Sequence, residues 1–153
     1  MRVAIFSDIH GNAVALEAVL ADVRALAPQV IVCGGDLAFG GPEPEACVDR
    51  IKEVGIPCVR GNTDQWLGGS GREPGNAVGE WSRGLVVNAG SVGAPYDGDP
   101  RASYAVLERG ASTWSADLRR VPYDIDRAVR TFPADHPARA QWADAIRSAR
   151  RPF

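Results

Sequence analysis

Five side chains carry most of the chemistry this sequence can do: Asp8 and His10 in SDIHGN, Asp36 in CGGDL, and Asn62 and Asp64 in RGNTD. Together they offer carboxylate and carboxamide oxygens with one imidazole nitrogen, a hard set suited to Mn²⁺, Fe²⁺, Zn²⁺ or Mg²⁺ and not to a thiolate-preferring metal. The D-x-H spacing lets both side chains of one tight turn meet a single ion. Gly11, Gly35 and Gly61 stand beside these residues and permit sharp turns and close backbone approach.

The elements that must position these residues are legible from apolar periodicity. Residues 2–6 form a short apolar run that ends at SDIHGN, and 30–33 form a second that ends at Gly34, Gly35 and Asp36. A third run, 56–59, ends at Arg60, Gly61 and Asn62. Between them, Leu16, Val19, Leu20, Val23 and Leu26 recur at helical spacing, with Asn12 placed to cap the start and Pro28 to stop it. Residues 44–54 repeat the pattern, with Cys47, Val48, Ile51 and Val54 on one face. The order β-α-β-α-β, with continuously apolar strands, predicts a parallel sheet covered on both faces. Ligands then gather at the carboxyl edge, where all three polar clusters fall.

The second half is of another kind. Residues 103–108 and 112–121 read as an antiparallel hairpin, the latter with Trp114, Ala116 and Leu118 alternating with polar residues as in a half-exposed strand. Two short helices follow, within 123–132 and 136–151. Between the halves lies GGSGREPGNAVG, a 12-residue glycine-rich junction within 68–84 that contributes little to a core. One domain over 1–153 is expected.

Composition excludes several classes. A net charge of −2 gives no electrostatic case for nucleic acid, and no apolar run approaches a membrane span. The N-terminus has no signal-peptide layout and the three cysteines form no C-x-x-C pair, so buried reduced thiols in a cytoplasmic protein are expected. His136 reads as a surface or capping residue, and the basic 147–153 as a solvated tail.

The chain resembles the calcineurin-like metallophosphoesterases, in particular their small bacterial phosphodiesterase-like branch. The matching stretches are SDIHGN at 7–12, GGDLAFGGPEP at 34–44, RGNTD at 60–64 and VVNAGSVGAPYDGDPRASYAVLE at 86–108, followed by VPYD at 121–124. The resemblance implies an α/β fold of two facing sheets flanked by helices, and hydrolysis of phosphoesters with two divalent metal ions. Carried over position by position, it gives Asp8 and His10 to the first metal, Asp36 as a bridge, and Asn62 to the second metal and the phosphate. Mn²⁺ is the first expectation for the cofactor, with Fe²⁺, Zn²⁺, Ni²⁺ or Mg²⁺ as alternatives and one or two ions. Asp64 is offered two roles, orienting His10 or capping a loop. Thr63 stands where many members have a histidine that assists the leaving group.

The family's remaining histidines have no counterpart here, since Asp64 to Asn88 contains none. The site is therefore expected to be incomplete and the second sheet truncated, with its edges exposed or completed by another copy of the chain. A metal-dependent phosphomonoester or phosphodiester hydrolase is the leading reading, with Asn62 and Asp64 in catalytic roles and a small phosphoester as substrate. A non-catalytic metal- or phosphate-binding module on the same scaffold is the alternative.

Overall fold

The computed structural model describes residues 1–67 and 87–152. The glycine-rich junction lies outside the described residues.

Strand β1 (Arg2–Phe6) buries Ala4 and Phe6 and leads through the 7–12 turn into helix α1 (Ala13–Leu26). The stripe of Ala15, Leu16, Val19, Leu20 and Val23 packs α1 into the core. As the sequence predicts, Asn12 caps this helix, its side chain accepting from the Ala15 amide at 3.1 Å. The chain then turns through a left-handed Ala27 before Pro28. Strand β2 (Val30–Cys33) runs parallel to β1, and helix α2 (Pro44–Val54) opens on proline and closes at Gly55, burying Cys47 and Ile51.

The third apolar run does not become a strand. Its contact with β2 is a single parallel bridge between Cys33 and Cys58, made by Cys33 N to the Pro57 carbonyl at 2.9 Å and Val59 N to the Cys33 carbonyl at 3.0 Å. The run is short and contains Pro57, and it leaves both Cys58 and Val59 exposed, so burial holds no further rungs in place. Cys58 thus departs from the buried thiols expected of all three cysteines, whereas Cys33 and Cys47 are buried. Burial pushes the Cys47 thiol up to about 12, and burial also raises Cys33.

Helix α3 (Asn62–Leu67) follows directly. The hairpin of β3 (Ala102–Arg109) and β4 (Trp114–Val121) then occupies the other side of β1, with β3 antiparallel to it. The order is β2-β1-β3-β4, so the sheet is mixed and not all-parallel. Among the described residues this is one four-stranded sheet flanked by helices, a truncated form of the two-sheet sandwich. The alternation in β4 does not mark a buried face: residues 114–118 are all exposed, Leu118 by 58%. Helices α4 (Ile125–Arg130) and α5 (Arg139–Ser148) form a second apolar cluster of Ala94, Val129, Phe132, Trp142, Ala143 and Ile146. His136 sits between them, its ring against Phe132 and its Nδ1 accepting from the Ala138 amide. Among the described residues no helix is long and apolar enough to cross a membrane.

A buried polar link ties α1 to the hairpin. The Tyr104 hydroxyl, fully buried, donates to Asp22 at 2.6 Å, and Arg119 Nε donates to the same oxygen at 3.1 Å. Burial and the Asp22 carboxylate both raise the Tyr104 phenol above its ordinary value of 10.0. The folded state therefore holds the neutral phenol, and this contribution is complete below pH ~10 and drains away as pH rises toward the raised value. Tyr104→Phe should lower stability by about 1 kcal/mol at neutral pH, the net worth of the bond. It should also flatten the alkaline limb of stability against pH, measured by urea unfolding between pH 7 and 11.5. Burial raises Tyr123 too, so the limb should flatten and not vanish.

Candidate metal centre

The two loops at the carboxyl edge of the parallel pair continue its hydrogen bonding past the strands. Asp8 N donates to Gly35 O at 3.0 Å, His10 N to Asp36 O at 2.9 Å and Gly11 N to Leu37 O at 2.8 Å. This ladder, not proximity in sequence, brings Asp36 to the Asp8–His10 turn. Ligating atoms of Asp8, His10 and Asp36 all lie within 4.8 Å of one another. His10 Nε2 stands 3.6 Å from Asp8 Oδ1.

The backbone at these three positions is unusual. Among the described residues five non-glycines have positive φ. Two, Ala27 and Ala149, close helices. The other three are Asp8 (57°), His10 (50°) and Asp36 (55°), the whole of the cluster. Left-handed non-glycine backbone costs on the order of 1–3 kcal/mol per residue and persists where surrounding structure over-determines it. Here the inter-loop bonds supply that determination, and the strain aims three donors at one point.

Each member is held from behind. His10 Nδ1 faces the Phe39 carbonyl at 2.9 Å, which leaves Nε2 turned toward Asp8. Burial disfavours the charged imidazole, but Asp8, the Phe39 carbonyl and the charge of Asp36 outweigh it and raise the His10 pKa. Burial likewise opposes charge on Asp8, yet the neighbouring His10 ring and Ser7 leave its pKa below the ordinary carboxylate value. Asp36 Oδ1 accepts from the Thr63 amide at 2.9 Å.

Of the two roles offered to Asp64, the contacts made are those of the loop cap. Its Oδ2 accepts from Asp36 N at 2.8 Å and Gly61 N at 3.1 Å, and its Oδ1 from Leu37 N at 2.8 Å. The nitrogen of His10 that an orienting carboxylate would hold is on Phe39 instead. Gly61 lies so close to Asp36 that any side-chain carbon there would overlap its carboxylate. Asn62 opens α3 with an exposed side chain, one residue before the amide that holds Asp36.

Sequence reasoning passed over several supports. Ser91 Oγ donates to the Asp8 carbonyl at 2.8 Å, Gly93 N donates to the same carbonyl at 2.9 Å, and Val92 N reaches Ser7 O at 2.9 Å. The small, serine-bearing stretch 90–93 was the available signal. A cavity of about 370 Å³ opens beside Asp8, walled by Asn88, Ser91, Pro95, Tyr96 and Asp97.

The donors fit a divalent cation. Two carboxylates and an imidazole nitrogen are a hard set with borderline character, and the imidazole presents its unanchored nitrogen to the cluster. Nearby, Thr63 Oγ1 is buried without a hydrogen-bond partner among the described residues, an unmet polar group beside Asp36.

An α/β sheet that carries such a cluster at the carboxyl ends of its parallel strands defines a protein with a candidate divalent-metal centre. The chain belongs to the calcineurin-like phosphoesterase family, whose sequence profile matches residues 1–145. Its fold is similar to that of a metallophosphoesterase from Sphaerobacter thermophilus, with a TM-score of 0.71 and 21% identity over 97% of this chain and 99% of that one. It is also similar to hypothetical protein PH1004 from Pyrococcus horikoshii OT3, with a TM-score of 0.66 and 16% identity over 99% and 98% of the two chains. At these identities the likeness is one of fold. Uncharacterized protein MJ0912 of Methanocaldococcus jannaschii is 40% identical over 62 residues, which cover 40% of this chain and 26% of that protein.

Proposed function

We propose that this chain is a metal-dependent phosphoesterase that acts on a small phosphomonoester or phosphodiester through a reduced metal site. The observation that carries the reading is the convergence of Asp8, His10 and Asp36, each on left-handed backbone, in a member of this family. These three residues hold one divalent cation, Mn²⁺ in the first instance, and Asn62 adds a carboxamide from the start of α3. The bound cation supplies charge neutralisation and Lewis acidity toward a phosphate oxygen. The Asp8 carboxylate at the edge of the cavity, with Asp36 close to it, would otherwise repel a phosphate, so binding and turnover both require the metal. Asn62 Nδ2 donates to a phosphate oxygen and fixes the phosphorus for in-line attack by water. Asp64 acts through the backbone it clamps, as a positioning residue. The cavity beside Asp8 receives the rest of the substrate. The reading includes a cytoplasmic setting, one domain over the chain, and a second copy of the chain along the open sheet edge.

A binding module without turnover is the second reading, favoured by one observation. The donors brought together number three, and no other such acidic, histidine or cysteine cluster occurs among the described residues. One assay separates the two. Folded protein saturated with Mn²⁺ should hydrolyse bis(p-nitrophenyl) phosphate or p-nitrophenyl phosphate, and EDTA should stop it. A melting temperature that rises with Mn²⁺ while neither ester is hydrolysed above background would instead establish the binding module.

A further inference from the structure

We propose that Trp142 is a positioning residue for the metal centre: its indole, carried by α5, forms the wall that keeps the His10 ring turned with Nε2 toward Asp8. The inference rests on the reading of His10 as a metal ligand. The Trp142 ring lies 6.0 Å from the His10 ring, centre to centre, inclined at 40°, and meets Phe39 edge-on at 6.2 Å. Both Trp142 (5%) and His10 (8%) are nearly inaccessible to solvent. The indole also lies close against Gly40, where φ is +92° and any side-chain carbon would overlap the ring.

These contacts give one physical arrangement. The Phe39 carbonyl fixes Nδ1 but by itself leaves the imidazole free to pivot about that bond. His10 stands on strained backbone, which relaxes wherever a restraint is removed. Trp142 fills the volume into which ring and loop would move. It also presses on Phe39 and Gly40, the segment that supplies the anchoring carbonyl. The indole thereby secures the imidazole directly and secures its hydrogen-bond partner as well. The apolar cluster under α5 has a function on this account, since Val129, Phe132 and Ile146 seat the helix that delivers the indole.

The test is metal binding, independent of turnover. Mn²⁺ affinity is measured by calorimetry, and Co²⁺ binding by its visible absorption, whose band shape reports coordination geometry. Trp142→Leu, which keeps apolar volume but removes the ring, should weaken Mn²⁺ binding by about 10-fold or more and alter the Co²⁺ band, as losses behind a ligand commonly do. Trp142→Phe should restore most of the affinity. Ile146→Ala, in the same cluster, should lower the melting temperature and leave the metal affinity in place. Wild-type affinity and band shape in Trp142→Leu overturn the proposal, and so does an equal loss of affinity in Ile146→Ala. Failure of the wild-type protein to bind either ion overturns the metal reading itself, and this inference with it.

Discussion

Asp36→Asn should separate metal binding from folding. Asp36 Oδ1 accepts from the Thr63 amide, and an asparagine oxygen can accept the same bond. Asparagine also tolerates the left-handed φ of 55° better than most residues. What the substitution removes is one of the cluster's two negative charges, on a residue only 7% exposed. Without metal, that charge is repelled by Asp8, so the variant should melt within a degree or two of the wild type, or above it. With metal, the loss should be large. Removing groups behind a ligand costs about 10–100-fold in affinity, and removing a ligand's charge should cost at least about 100-fold.

That loss has a clear thermal signature. Mn²⁺ at about 100 times the wild-type dissociation constant stabilises the fold by about 2.7 kcal/mol, and the same concentration gives the variant about 0.4 kcal/mol or less. For a chain of this length the contrast is about 5–10 °C against about 1 °C. Hydrolysis of the aryl phosphate should fall below detection in parallel. An Asp36→Asn protein whose melting temperature still climbs with Mn²⁺ as the wild type does would remove Asp36 from the site. The alanine variant is the poorer probe, because it also takes the acceptor from Thr63 and the left-handed tolerance from the loop.

The first half of the fold was legible because its signals are local. The helical stripe of Leu16, Val19, Leu20 and Val23, the cap at Asn12, and two short apolar runs each decide their own geometry, and the residues after the strands follow from them. The parallel reading of the three first-half runs failed at the third. There Pro57 and two exposed residues offer no burial to reward a ladder, and β3 takes the free side of β1 from about a hundred residues away. The β4 alternation misled for a related reason: a period of two shows which residues share a face, not whether anything covers it.

At the site, residue types were legible and their supports were not. Asp8, His10 and Asp36 announce themselves as donors after apolar runs. The carbonyl of Phe39, the hydroxyl of Ser91 and the indole of Trp142 reach them across 29, 83 and 132 positions, and nothing local encodes those contacts. Asp64 is the instructive case, since the sequence leaves it open between orienting His10 and capping a loop, while its carboxylate is engaged by three backbone amides.

Asp64→Ala should therefore be the most destabilising single substitution at the site. It strips acceptors from Asp36 N, Leu37 N and Gly61 N at once, the first two belonging to the loop that presents Asp36. A hydrogen bond to a charged group contributes about 1.5–3 kcal/mol, and amides left partly buried without partners add their own cost. Some of the three will find water, so the net loss should be about 3–5 kcal/mol, a large part of a typical domain's stability. Asp64→Asn should fall between, since its one oxygen can keep Asp36 N and Gly61 N while its amide group turns N–H against N–H at Leu37. Mn²⁺ affinity should fall with stability across this pair, in contrast to Asp36→Asn, where affinity falls alone. Urea unfolding with and without Mn²⁺ measures both quantities on the same samples. An Asp64→Ala protein within 1 kcal/mol of wild type, by the scale of the bonds removed, would show that the clamp is dispensable. Preserved stability with lost turnover would instead return Asp64 to a direct catalytic role.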